Sequence, residues 1–469
     1  MTRPMLFPAL VLASLLLLAP AVSSAGATGA FVAVYNSGRA QVRETRAVTL
    51  PAGPAVVVFT DVPATLDATS IRAVAPGMGV EGIEYSYRPI TPRNLLDLYV
   101  GKELSVILPD PADANARILR KARLLSNAEG PVFSMGKEVY VGGYEAVLLP
   151  EMPKGFNEKP TLTLTTDNES EGRKSVALHY LMGGLNWQAD YTMAVSADGA
   201  TADLEAWATV TNASDYAFKG ADVRLVAGDV QRAPASYKMA RRGEPVLAME
   251  AAMPDNAAGA SEESFSEYHV YTLPTAVTLP PQGARQASLF SAAGVPVRQE
   301  LVSRYHAGTG QRAGKIDQSV ESALTFDNLA VNKLGRPLPA GTVRVYMPTT
   351  DGHHLLAGET RLGHVAEGDA VRLVLGRSFD VSVERRQTSF EKVGKSAYEI
   401  GWAVTVKNGK KVPADLKLAD SFPGQWKVLS SDASYAVADA ATIEFDLKGL
   451  PPSAGTDGLV INYTVRIEY

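Results

Sequence analysis

Leu178-His179-Tyr180-Leu181-Met182-Gly183-Gly184-Leu185-Asn186-Trp187-Gln188-Ala189-Asp190-Tyr191 is the stretch that decides the fold of this 469-residue chain. On both sides of Gly183-Gly184, every second residue is apolar. That is the period of a strand whose two faces meet different surroundings. The two glycines give the backbone freedom for a sharp corner between two such strands. Trp187 and Tyr191 fall on one side of an extended chain and can close the end of a sandwich. The stretch therefore predicts β architecture with a structural corner.

The same period runs outward in both directions. Upstream, Phe31 to Tyr35, Ala40 to Leu50 and Ala55 to Val62 form a meander, joined by Asn36-Ser37-Gly38 and Pro51-Ala52-Gly53. Thr91-Pro92 opens one short helix. Threonine can cap it, proline suits the first turn, and Leu95, Leu96 and Tyr99 give an apolar face ending at Gly101. Within 102–149, the run Ala116 to Leu125 favours helix by residue type and strand by its neighbours; we read it as strand in a small barrel-like unit. Downstream, alternation continues through Thr161 to Thr165, Ser175 to Leu181, Leu204 to Thr211 and Val223 to Ala227, and returns from Tyr268 to the last residue. Between them, 231–264 is rich in Ala, Glu, Gly and Met without any period, and reads as a long mobile loop.

A weak repeat organises the second half. Trp207-Ala208-Thr209-Val210-Thr211-Asn212 precedes Ala221-Asp222-Val223-Arg224-Leu225, and Leu324-Thr325-Phe326-Asp327-Asn328 precedes Gly341-Thr342-Val343-Arg344-Val345. Likewise Trp402-Ala403-Val404-Thr405-Val406-Lys407-Asn408 precedes Ala414-Asp415-Leu416-Lys417-Leu418. Each is a strand, an asparagine that tolerates left-handed backbone, a loop and a second strand. Two-sheet sandwiches with immunoglobulin-like connections are built this way. Duplication and general sandwich grammar both account for the pattern. The expected class is mainly β, with several antiparallel sandwiches of immunoglobulin-like type, small β-barrel units and one short helix. The expected segments are 28–90, 91–155, 159–376 and 377–469, after a signal peptide at 1–25.

The beginning of the chain reads as an export signal. Arg3 precedes an apolar run from Met5 to Ala19, Pro20 breaks it, and Ser23-Ser24-Ala25 offers small residues for cleavage. The apolar core is shorter than the ~20 residues that span a bilayer comfortably. Cleavage after Ala25 is expected, with Ala27 the alternative, which leaves no integral membrane segment and a periplasmic or secreted location. No cysteine occurs in the sequence, so disulfides, thiolate metal sites and a lipid-bearing cysteine are excluded. Net charge is −5 and no long basic block exists, which argues against a nucleic-acid partner. Arg117 to Arg123 is read as a solvated face.

Three segments together resemble the mucoidy-inhibitor-related bacterial envelope family, the domain of unknown function 4139. They are Tyr180 to Tyr191; Ala227-Gly228-Asp229-Val230 with Phe265 to Leu273; and Leu338 to Tyr346 with Glu384-Arg385-Arg386 downstream. The likeness extends from about Phe31 to Tyr469. It implies an exported β-rich protein and brings no catalytic residues.

Candidate chemistry is sparse. Trp187 could stack on a sugar or peptide beside Asp190 and Tyr191, although the corner accounts for them without a ligand. His353, His354 and His364 with Asp351 could ligate zinc or nickel, yet Asp351-Gly352-His353-His354 reads first as a turn and no His-Glu-x-x-His pair exists. Gly308 to Lys315 lacks the glycine and the Ser/Thr of a phosphate loop and reads as a hairpin. No Gly-x-Ser-x-Gly elbow occurs, and paired acids for glycoside hydrolysis cannot be selected without distances. Ile461, Tyr463, Val465, Ile467 and Tyr469 alternate like the last strand of an outer-membrane barrel, but aromatic content is only 7% and proline is frequent. We therefore expect no cofactor and no catalytic group. The expected function is non-catalytic binding or scaffolding of envelope proteins or glycans, with a carbohydrate- or peptidoglycan-active hydrolase and an outer-membrane barrel as alternatives.

Overall fold

The computed structural model describes residues 21–22, 27–110, 113–153, 157–228, 261–265, 268–308, 313–453 and 458–469. Most of the segment read as a signal peptide, and 231–260 of the segment read as a loop, lie outside the described residues. The chain is mainly β. It divides into two compact units: one holds 1–187, 210–226 and 275–285, the other 188–209, 227–274 and 286–469.

In the first unit, Arg39–Leu50 is the hub. It pairs on one side with Thr28–Tyr35 and on the other, without a break, with Gly172–Gly183. Strict alternation of buried and exposed residues along Arg39–Leu50 explains the pairing: Ala40, Val42, Val48 and Leu50 enter the core while Gln41 and Arg43 face out. The corner strand Gly172–Gly183 thus couples residues that the sequence reading assigned to its N-terminal and central segments. A second sheet joins Gly53–Phe59, Asn157–Asn168 and Met78–Arg88. The helix appears as Pro92–Asp97, with the Thr91 hydroxyl accepting from Asn94 N at 3.1 Å. It covers one face of a five-stranded sheet formed from Glu103–Asp110, Asp113–Ser126, Val132–Met135, Glu138–Tyr140 and Ala146–Leu148. Leu96 and Tyr99 pack there on Leu104, Val106, Leu124 and Phe133. The ambiguous run is therefore strand. The expected small barrel is an open sheet instead, and the short helix packs on one of its faces in place of further strands.

In the second unit, one five-stranded sheet orders Gly283–Pro296, Thr201–Asn212, Leu185–Val195, Gly341–Pro348 and His354–Leu362. Two further sheets face each other as a sandwich. One contains Arg298–His306, Glu321–Asp327, Ala370–Arg377, Ala414–Ser421 and Thr442–Leu450; the other contains Lys315–Gln318, Val381–Lys392, Ala397–Asn408, Leu459–Glu468 and Gln425–Ser431. Their shared core includes Trp402, Val404, Val406, Phe445, Tyr463 and Ile467. Leu459–Glu468 is the strand that suggested an outer-membrane barrel. It lies inside its sheet, between Ala397–Asn408 and Gln425–Ser431, and Ile461, Tyr463, Val465 and Ile467 are buried in protein. No closed barrel is present among the described strands. The alternation is that of a sandwich strand with one inward face.

Two expectations are corrected in detail. The sheets are not purely antiparallel: Leu185–Val195 runs parallel to Gly341–Pro348, and Arg298–His306 parallel to Ala414–Ser421. In each pair a long excursion separates the partners, which leaves room for the crossover that parallel pairing requires. The last residues of the predicted loop, Ser261 to Ser264, belong to a strand, Ser261–Phe265, that pairs with Tyr268–Thr272. Tyr268–Thr272 has strong strand formers and provides the template, and His269 Nδ1 lies 2.8 Å from Glu262 Oε1 across the pair.

Candidate functional site

The Gly183-Gly184 corner gathers three loops of the first unit. Gly183 N donates to Thr65 O at 3.0 Å, Gly184 N to Gly38 O at 3.3 Å, and Ala213 N to Gly184 O at 2.7 Å. Gly184 has φ +85°, and a Cβ there would meet Ser214 N at 3.4 Å, so only glycine fits without strain. Trp187 is 2% exposed and its Nε1 donates to Val226 O at 3.0 Å. A ring enclosed on both faces has none left for a sugar.

In the second unit the strand continues through Asp190 and Tyr191. Tyr191 is buried, donates to Pro339 O at 2.7 Å and meets Phe290 edge-on at 6.5 Å. Burial, then the neighbouring Tyr271, raises its pKa well above the ordinary value. Asp190 points to the opposite face, as strand alternation requires. There Gln286 Nε2 donates to Thr209 Oγ1 (3.2 Å), Thr209 Oγ1 to Asp190 Oδ2 (2.6 Å), while Arg344 lies 3.5 Å from Asp190 and 2.8 Å from Glu359. This is a polar ladder across all five strands. Trp187, Asp190 and Tyr191 are therefore not brought together: alternation separates the acid, and four extended residues put the Trp187 and Tyr191 Cα atoms about 13 Å apart.

The Leu338 to Tyr346 segment is explained by the same geometry. Tyr191 and Tyr271 hold the carbonyls of Pro339 and Pro337, the latter at 3.0 Å. Gly341 lies so close to its parallel partner that a Cβ would fall 2.1 Å from Ala189 O.

Two charged clusters were not anticipated. In the first unit, buried Arg46 donates to Glu44 Oε1 (2.8 and 3.1 Å), to Asp61 O (3.0 Å), to the Asp61 carboxylate and to Tyr216 Oη (3.1 Å). Tyr216 in turn donates to Glu44 Oε2 at 3.1 Å, and Phe59 lies under the guanidinium at 5.3 Å. In the second unit, Arg385 donates to both Asp420 oxygens (2.6 and 2.7 Å) and to Tyr463 Oη (2.6 Å), and Tyr463 donates to Asp420 Oδ2 at 2.7 Å. Tyr305 and Trp402 flank it at 4.3 and 5.3 Å. Burial opposes each arginine's charge, but the partners outweigh it and raise both pKa values; burial and then Asp420 hold Tyr463 protonated. Each buried guanidinium is thus answered by a carboxylate and a tyrosine hydroxyl of its own unit. Sequence alternation gave one clue: Arg46 and Arg385 stand at core positions of their strands, where a cation needs a buried partner.

The histidines remain apart. His353 and Asp351 are exposed, 4.0 Å apart in a turn closed by Thr349 N to His353 O (2.7 Å). His354 faces Val195 O at 3.4 Å, and His364 Nδ1 accepts from Ala340 N at 3.3 Å. Among the described residues no three His, Asp or Glu converge as metal ligands. Lys315 begins a strand paired with Arg386, while 309–312 of the glycine-rich run lie outside the described residues.

Comparison with known families fits these positions. A profile described as domain of unknown function (DUF4139) matches residues 176–428, more than half of the chain, and covers the corner, the tyrosine clamps and Arg385. The chain belongs to the DUF4139 family. Ahead of that match, an N-terminal domain of unknown function (DUF4140) matches residues 32–98, which takes in the Arg46 strand and the helix. No curated protein matches the chain. The two matched ranges thus contain the corner, the tyrosine clamps, Arg46 and Arg385.

Proposed function

We propose that this DUF4139 protein is exported to the cell envelope and acts there by binding, as a rigid scaffold of β units, without catalysing a reaction. The observation that carries the reading is the destination of its polar chemistry. The residues with the most perturbed environments, Arg46, Tyr216, Arg385 and Tyr463, are locked to one another inside the cores, whereas an active site needs such groups facing a substrate cavity. The export-like beginning of the chain and its likeness to the mucoidy-inhibitor-related family support the location. Envelope proteins or glycans are the partners this location offers. The test is fractionation of cells expressing the tagged chain, with N-terminal sequencing, followed by pull-down from envelope extracts. Recovery of a form starting near residue 26 from the periplasm or medium, with a saturable envelope partner, is expected. Retention in the cytoplasm with an intact first residue would overturn the reading.

A further inference from the structure

On the outward face of the first unit, one cross-strand row sets three basic side chains side by side. Arg72, in the short strand Arg72–Val74, stands directly opposite His179, and His179 stands directly opposite Arg43. Strands lie 4.7–4.9 Å apart, so the arginine backbones are about 10 Å apart with the imidazole between them. Beside the row is a pocket of about 300 Å³ lined by Gln41, Ser70, Arg72, His179 and Leu181. No carboxylate lines it. The row's acid, Asp222, comes two strands beyond Arg43, with Phe31 intervening.

Among the described residues, the side chains of Arg43, Arg72 and His179 make no hydrogen bond or ion pair. In the second unit Arg298, Arg304, Arg344, Arg372 and Arg466 each meet an Asp or Glu, and the exposed arginines that do not, such as Arg361, Arg377 and Arg386, do not stand opposite a second arginine or a histidine. Cations aligned on adjacent strands without a counter-ion oppose pairing. Such an arrangement makes physical sense when the counter-ion comes from outside.

We propose that this pocket binds a tetrahedral oxyanion, carried by a small solute or by a lipid headgroup, with the Arg72 guanidinium and the His179 ring as its donors and Arg43, across the strand from His179 and outside the pocket lining, adding positive charge. Guanidinium forks suit phosphate- or sulfate-like oxygens and give stronger, charge-assisted hydrogen bonds. Partial burial, then Arg43 and Arg72, lower the pKa of His179 below the ordinary value. The charged groups facing it are Arg43 from one neighbouring strand and Arg72 from the other. A bound anion would reverse the sign of that field and raise the histidine's pKa. The inference is independent of the export reading, since it needs only the folded first unit.

The experiment follows the imidazole resonance of His179, assigned with His179→Gln, from about pH 5 to 8, the range in which histidine titrates. Sodium sulfate is the probe, because its charge is constant over that range, and sodium chloride at equal ionic strength is the reference. The expected result is a midpoint higher in sulfate by roughly half a unit or more, with the difference lost in the double variant Arg43→Gln/Arg72→Gln at an unchanged melting temperature. Equal midpoints in the two salts, or an equal response in the double variant, would overturn the proposal. Co-sedimentation with phosphatidylglycerol vesicles then separates the sources. Retention that needs both arginines assigns a headgroup, and a sulfate response without retention assigns a solute.

Discussion

Trp187 shows how a residue that looks like a ligand platform serves the fold. Its ring is enclosed and its Nε1 is used by Val226 O. Trp187→Ala should therefore lower stability by about 3–5 kcal/mol, read as a large fall in melting temperature; an unchanged melt would mean that the ring is exposed in solution. Arg385 makes a sharper case, because a buried ion pair differs from a buried charge. Removing either partner alone, Arg385→Met or Asp420→Leu, should cost about 3–5 kcal/mol, since the other charge is left buried and unpaired. The double variant should regain much of the loss, and a denaturation cycle measures the coupling. Additive losses would show that the two side chains do not interact. At this scale the sequence was only partly legible. The corner reading put Trp187 and Tyr191 at the closed end of a sandwich, but alternation could not reveal that Arg46 meets Tyr216 or that Arg385 meets Tyr463, since those partners are 170 and 78 residues away.

The repeated strand–asparagine–strand element has a physical basis that differs from the one its sequence suggests. Asn212, Asn328 and Asn408 do not have left-handed backbone; among non-glycine residues only Gln282 and Lys333 have positive φ in the described chain. Instead each asparagine is buried, and its amide donates to two carbonyls: Tyr216 and Leu279, Arg336 and Ala366, Val412 and Leu450. Each Oδ1 also accepts a backbone N–H, from Ser214, Gly335 or Lys410. The side chain ties its own loop to a carbonyl from a more distant segment. Asn408→Asp keeps the acceptor but loses both donated bonds and brings charge toward two carbonyls. We expect Asn408→Asp to destabilise the protein more than Asn408→Ala does, with Ala costing about 1–3 kcal/mol for the carbonyls it leaves unpaired. Chemical denaturation of the two variants checks the order, and a milder effect of Asp would contradict the clamp. The pattern was visible as spacing. Its cause was not, because the second carbonyl lies on a segment the spacing cannot identify.

For the whole molecule, strand content and the separation into sandwich sheets were readable from alternation, since one buried face fixes the period wherever it occurs. Connectivity was not. Arg39–Leu50 with Gly172–Gly183, or Arg298–His306 with Ala414–Ser421, pair across gaps that local patterns do not encode. The small barrel was expected, and the terminal strand could resemble an outer-membrane one, for one reason: alternation reports that one face is buried, but not what covers it. The open row of Arg72, His179 and Arg43 is one place where polar chemistry still faces out. The claim that this protein binds without catalysis is tested most directly by incubating the mature chain with purified sacculi and envelope polysaccharide. Soluble fragments and bound protein are then measured from the same samples. The account predicts saturable retention with no fragments above the heat-unfolded control. Release of fragments in proportion to protein concentration, abolished by unfolding, would contradict it.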